Sequence, residues 1–224
     1  MTAALRLVVF DVDGTLVDSQ ADILGAMAAA FAAVGAEMPE REAVLGIVGL
    51  SLDVAMARLA PGADAATLNR LVDGYKHSYM TRREAVGTRQ SSPLYPGAAE
   101  ALRRLQRMDH ILLGVATGKS RRGLDKLLQG HGLERMFVTR QVADHHPSKP
   151  HPAMLHAALA ETGVAARDAV MVGDTSYDME MACAAGIPAI GVSWGYHDPA
   201  TLVGADVLID SFDALEGALA TVWG

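Results

Sequence analysis

The apolar run Leu7-Val8-Val9-Phe10 stops at two carboxylates, Asp11 and Asp13, with Gly14 and Thr15 directly behind them. A buried strand that ends this way must aim its charges at something that offsets the cost of desolvating them. Residues two apart on an extended segment project to the same side, so both acids reach one reacting centre. Gly14 lets the backbone turn sharply, and Thr15 adds a hydroxyl beside the acids.

The rest of the chain repeats that beginning. Short apolar runs recur at Leu5 to Phe10, Ile111 to Ala116, Met136 to Thr139, Ala169 to Val172, Ala189 to Val192 and Val207 to Ile209. Helical spacing fills the gaps, over Ala98 to Arg107, Arg121 to Gln129, Ala153 to Thr162 and Met179 to Ala185. This alternation predicts an α/β fold, a doubly wound parallel sheet with helices on both faces. Such sheets bind ligands beyond the carboxyl ends of their strands. From about Ser19 to Gln90 only amphipathic helices are predicted: Ala21 to Val34, Val54 to Leu59 and Ala65 to Met80. The expected organisation is a catalytic core of residues 1–18 and 91–224 with a small α-helical domain, residues 19–90, inserted after the first strand. Leu94-Tyr95-Pro96-Gly97 punctuates the return crossing.

Composition narrows the function classes. A net charge of −7 and the lack of a Lys/Arg-rich block argue against nucleic acid. No apolar run has the length of a membrane span, and no signal peptide precedes the first strand. The lone Cys183 forms no internal disulfide, lies among small residues and is expected to fill space. A cytoplasmic protein, monomeric or homodimeric, is the expectation.

Polar groups recur where strands end. Thr117-Gly118 follows the second strand, Lys149-Pro150 lies in the loop after the third, and Gly173-Asp174 ends the fourth. Asp11, Asp13, Asp174 and Asp178 bring up to four carboxylates together, which repel one another unless a cation sits among them. An all-oxygen donor set favours Mg²⁺ over zinc or copper. Thr117, Lys149 and backbone N–H groups near Gly14 and Gly118 suit a phosphate dianion. A carboxylate is able to act as nucleophile, and a second one beside it as general acid and base.

Four strings stand in order: Asp11-Val12-Asp13-Gly14-Thr15-Leu16-Val17-Asp18-Ser19, Thr117-Gly118-Lys119, Lys149-Pro150 and Gly173-Asp174-Thr175-Ser176-Tyr177-Asp178. With them the chain resembles the haloacid dehalogenase superfamily, in its phosphoglycolate-phosphatase-like branch, over nearly its full length. The resemblance implies a Rossmann-like core with a mobile helical cap. It implies Asp11 as nucleophile and Asp13 as general acid and base, with Thr117 and Lys149 binding the phosphoryl group. It further implies Mg²⁺ held by Asp11, the Asp13 carbonyl and Asp174, with Asp178 in support. The expected activity is hydrolysis of small phosphorylated metabolites through an aspartyl-phosphate. Alternatives on the same core are a pyrophosphatase or a phosphosugar mutase, and outside enzymes an idle regulatory relative. Members that cleave carbon–halogen bonds need no acid like Asp13. Phosphonate hydrolases use a cap lysine, and the only one here, Lys76, has a helical context. Mutases usually carry an acid where this chain has Gly173.

Gly46-Ile47-Val48-Gly49-Leu50-Ser51 is expected to be the cap turn that descends on the substrate. Arg41 and Arg58 are the nearest charges for a carboxylated substrate. His145, His146 and His151 flank Lys149 without metal-ligand spacing, and His77 lies in a cap helix. Trp194 and Tyr196 are placed in a loop at the edge of the site, where they would pack under the cap.

Overall fold

The computed structural model describes residues 4–224; the first three positions of the predicted 1–18 core segment lie outside them. The chain opens with β1 (Arg6–Phe10). Five helices follow: α1 (Gln20–Ala33), α2 (Arg41–Leu45), α3 (Leu52–Leu59), α4 (Ala65–Val86) and α5 (Thr88–Ser91). Next come α6 (Ala98–Gln106), β2 (Ile111–Thr117), α7 (Arg121–His131), β3 (Thr139–Val142) and α8 (Ala153–Thr162). The chain closes with β4 (Ala169–Gly173), α9 (Ser176–Ala185), β5 (Ala189–Val192), β6 (Val207–Ile209) and α10 (Leu215–Trp223).

The six strands form one sheet in the order β3-β2-β1-β4-β5-β6, and every pairing is parallel. β1 lies at the centre, with Arg6 opposite Ile111 on one side and Leu7 opposite Ala169 on the other. Its alternation is visible in the core. Val8 and Phe10 pack with α6, α7 and α10 on one face, Leu7 and Val9 with α8 and α9 on the other. The order reverses between β1 and β4, so the open crevice of the sheet falls at the carboxyl end of β1.

β3 corrects the expectation by three residues. The apolar pair Met136 and Phe137 is buried, but from the turn that precedes the strand. The strand proper, Thr139-Arg140-Gln141-Val142, is largely buried, and its polar side chains are tolerated because Gln141 donates to the Thr139 hydroxyl and Thr139 to Glu161. Cys183 is also misjudged by its small neighbours, for it is exposed on α9.

Helices α1 to α4 have a core of their own, with Ile23, Met27, Phe31, Val44, Met56 and Leu71 among its buried residues. The two crossings that join them to the sheet run side by side. Asp18 N–H donates to the Pro93 carbonyl at 2.9 Å, Tyr95 N–H donates to the Leu16 carbonyl at 3.0 Å, and Val17 bridges Leu94. Among the described residues no helix is long and apolar enough to cross a membrane.

Candidate active site

Asp11 stands at the end of β1, its N–H donated to the Val172 carbonyl of β4 at 2.9 Å. The carboxylate is buried. Lys149 Nζ donates to Asp11 Oδ1 at 2.6 Å and to Asp178 Oδ1 at 2.7 Å, and is itself buried. Two residues distant in sequence are thus locked by one ammonium. Asp178 owes its place to the start of α9. It occupies the third position of the helix and closes a capping box with Thr175, whose N–H and hydroxyl donate to Asp178 Oδ2 at 3.1 and 2.7 Å.

Asp174, just beyond β4, accepts the Thr15 hydroxyl on Oδ1 at 2.8 Å and the Tyr196 N–H on Oδ2 at 2.9 Å. Glycines make this possible. A Cβ on Gly14 (φ +89°) or on Gly195 would overlap the Asp174 carboxylate. The Gly14 N–H is donated to the Val17 carbonyl at 2.9 Å, inside its own turn. Gly195 and Tyr196 carry no motif of their own. Their only sequence signal is their place after the fifth strand.

Ligand atoms of Asp11, Asp174 and Asp178 all lie within 4.8 Å of one another. Asp11 Oδ2 is buried with no hydrogen-bond partner. Three converging carboxylates with one orphan oxygen fit a hard divalent cation. The electrostatics agree. Burial, and then the charge of Asp178, push the Asp11 carboxyl up to about 7 against the pull of Lys149. Burial and the charges of Asp11 and Asp178 push Asp174 well above the ordinary carboxylate range. Burial alone would depress Lys149, but Asp11 and Asp178 outweigh it and hold it as an ammonium. The cluster is short of positive charge.

Asp13 is a neighbour of this cluster with a different set of partners. Lys119 Nζ lies 2.8 Å from Asp13 Oδ1, and the Ser19 hydroxyl donates to the same oxygen. Ser19 in turn is held by Tyr196, whose hydroxyl accepts the Ser19 N–H at 2.8 Å. Thr117 ends β2 with its hydroxyl accepting the Lys119 N–H at 3.2 Å. Asp11, Asp13, Thr117, Gly118 and Lys119 open on one cavity of about 510 Å³ beneath the inserted helices. Lys119 stands in the string Thr117-Gly118-Lys119, but the sequence argument gave it no role.

The turn Gly46 to Ser51 does descend: Ile47, Val48, Gly49, Leu50 and Ser51 line that cavity. It touches the core closely. Ser51 N–H donates to the Ser148 hydroxyl and the Tyr177 hydroxyl donates to the Gly46 carbonyl, each at 2.8 Å. A Cβ on Gly118 would strike the Leu50 and Gly49 carbonyl oxygens. Lys119 Nζ donates to the Tyr79 hydroxyl of α4 at 3.3 Å.

Arg41 and Arg58 are engaged elsewhere, Arg41 with Gln20 at 2.5 Å and Arg58 with the Tyr177 hydroxyl at 3.0 Å. Tyr196 packs with the inserted helices, whereas Trp194 stacks on Phe212 in the sheet core. His146 bonds Gln141 at 2.7 Å, and the His151 ring accepts the Ala153 N–H at 3.2 Å at the start of α8. His145 and His77 are exposed.

Residues 8–192 match the family described as Haloacid dehalogenase-like hydrolase. The chain belongs to that family. A Dickeya dadantii protein named "Probable phosphatase IndB" is 36% identical over 95% of this chain and 92% of its own length. A protein of Agrobacterium fabrum named phosphoglycolate phosphatase is 32% identical over 95% of this chain and 91% of its own. With these relatives, this haloacid dehalogenase-like hydrolase is a phosphatase. Two solved structures share its fold. A haloacid dehalogenase-like hydrolase of Streptococcus pneumoniae has a TM-score of 0.80 at 24% identity, covering 95% of this chain and 97% of that one. A β-phosphoglucomutase of Clostridium difficile has 0.81 at 16% identity, covering 97% and 98%.

Proposed function

We propose that the chain is a Mg²⁺-dependent phosphomonoester hydrolase of small metabolites, similar to phosphoglycolate phosphatases, that works through an aspartyl-phosphate on Asp11. The observation that carries it is the pairing of two unlike acids on one cavity. Asp11 is locked by Lys149 within a charge-hungry cluster, while Asp13 sits beside it with a separate set of donors. An Asp11 oxygen attacks the phosphorus of a bound monoester. The bond from phosphorus to the ester oxygen breaks, and Asp13 gives that oxygen its proton. Asp13 then takes a proton from water, whose oxygen attacks the aspartyl-phosphate and releases inorganic phosphate.

Thr117 and Lys149, with N–H groups near Gly14 and Gly118, bind the phosphoryl oxygens in this reading. Asp11, the Asp13 carbonyl and Asp174 would hold Mg²⁺, with Asp178 behind them; bound there, it supplies positive charge against the dianion. We assign residues 19–90 as a cap that excludes bulk water when closed, with residues 1–18 and 91–224 as the core. The lone thiol on α9 suits a reducing cytoplasm. A Cβ on Gly173 would overlap the Asp178 carboxylate, so the acid that mutases carry there has no room. That supports hydrolysis over phosphoryl relocation. The test is phosphate release from a panel of phosphomonoesters and pyrophosphate, with Mg²⁺ and with EDTA, alongside hydroxylamine trapping of the acyl phosphate. Metal-dependent release with a trapped Asp11 adduct is expected. No release from folded, metal-loaded protein would overturn the reading.

A further inference from the structure

The cavity is larger than the chemistry at its floor requires. At about 510 Å³ it has the size of sites that enclose drug-sized ligands. One water takes ~30 Å³, so a two-carbon phosphoester would leave most of the space to solvent. Its length is set by α4, which presents Val72, Tyr75, Lys76, Tyr79, Met80 and Arg83 to it. Those positions recur every three or four residues, a single helix face running roughly 16 Å. Ile23, Met27, Ile47 and Leu52 extend the apolar wall.

Charge is arranged unevenly along that wall. Lys119 is taken up by Asp13 at 2.8 Å, and Lys76 lies in the field of Asp53. Asp144, on the same lining, accepts the Arg121 N–H at 2.6 Å. Arg83 from α4 and Arg122 from α7 also line the cavity, and neither has a side-chain hydrogen bond or ion pair among the described residues. One belongs to the inserted helices and the other to the sheet domain. On a chain carrying net charge −7, two unpartnered guanidinium groups on one cavity are a recognition feature.

We infer that the substrate is a phosphomonoester with an apolar body larger than two carbons and a second anionic group, a carboxylate or another phosphate, recognised by Arg83 and Arg122. This rests on the hydrolase reading above and names its substrate class. The phosphoryl group meets Asp11 and Thr117, the body packs on the apolar wall of α4, and the second anion bridges a guanidinium of the inserted helices and one of the sheet domain.

The test measures kcat/KM, with Mg²⁺, for phosphooxy-alkanoates of increasing chain length and for their uncharged methyl esters, phosphoglycolate being the shortest acid. Wild-type protein is expected to prefer the longer acids, and each acid over its ester. In Arg83→Gln and in Arg122→Gln the acid-to-ester ratio falls about fivefold, through KM, while Arg83→Lys recovers part of it. Thermal melts establish that each variant is folded. A wild-type optimum at phosphoglycolate, or a ratio unmoved by both glutamine variants, overturns the inference while leaving the hydrolase intact. No release from any ester overturns the hydrolase reading, and this inference with it.

Discussion

The floor and the roof of the cavity are built on opposite principles. At the floor, Asp11, Asp174, Asp178 and Lys149 are buried, and their polar atoms are matched almost completely to named partners. At the roof, Ile47, Val48, Leu50 and Val72 present apolar surface, and the charged side chains are largely exposed. In the proposed reading the floor handles the phosphoryl group, which every candidate substrate shares. A roof of dispersion contacts and solvated charges handles the part that differs. The floor is defined by directional bonds, and the roof chiefly by apolar surface.

The sharpest way to break this contrast is at the floor. Asp11→Asn is expected to lower kcat by at least ~10⁴-fold with native circular dichroism, because the amide is no nucleophile. Activity near the wild-type value would remove Asp11 from its assigned role. A second test uses pH. The Asp11 carboxyl rises from an ordinary 3.8 to about 7, so the folded metal-free protein binds a proton that the unfolded chain has released. This contribution to stability is therefore lost as pH rises from about 4 to 7. Mg²⁺ needs the deprotonated cluster, so it should raise Tm more at pH 8 than at pH 5.5, by roughly 5 °C. Equal Tm gains at both pH values would contradict the cluster as the metal site.

Smaller effects sharpen the comparison. Gly195→Ala displaces the Asp174 carboxylate, and the Mg²⁺ concentration for half-maximal activity should rise ~10–100-fold. An unchanged Mg²⁺ titration would show that the floor yields more readily than its packing implies. At the roof, Tyr79→Phe removes the hydroxyl that accepts from Lys119 and should cost only about two- to threefold in kcat/KM. A loss comparable to that of Asp11→Asn would erase the distinction between the two regions.

The floor was legible in the sequence because each of its acids and its lysine sits in a short string at a strand end. Periodicity located the strands, and the residue types named the chemistry. What escaped was whatever a distant loop supplies. Gly195 makes room for Asp174 from beyond β5, the Tyr196 N–H that bonds Asp174 comes from a residue placed only at the edge of the site, and Lys119 faces Asp13 only after β1 and β2 pair. Arg41 and Arg58 looked available because sequence distance says nothing of Gln20 or Tyr177. β3 was displaced for a related reason. Apolarity marks burial and not strand: Met136 and Phe137 are buried in a turn, while Thr139 and Gln141 are buried in the strand as a hydrogen-bonded pair.

The central place of β1 has a consequence for how the molecule is made. Its two sheet partners begin at Ile111 and Ala169, far along the chain. On the ribosome, β1 emerges first and waits, unpaired on both edges, while the helices between it and β2 are synthesised. α1 to α4 are able to close their shared core as soon as α4 is made, whereas the sheet closes only once β4 has appeared. Assembly therefore proceeds from the inserted helices towards the sheet, and the apolar segment Leu7 to Phe10 is left open to misassociation until the sheet closes.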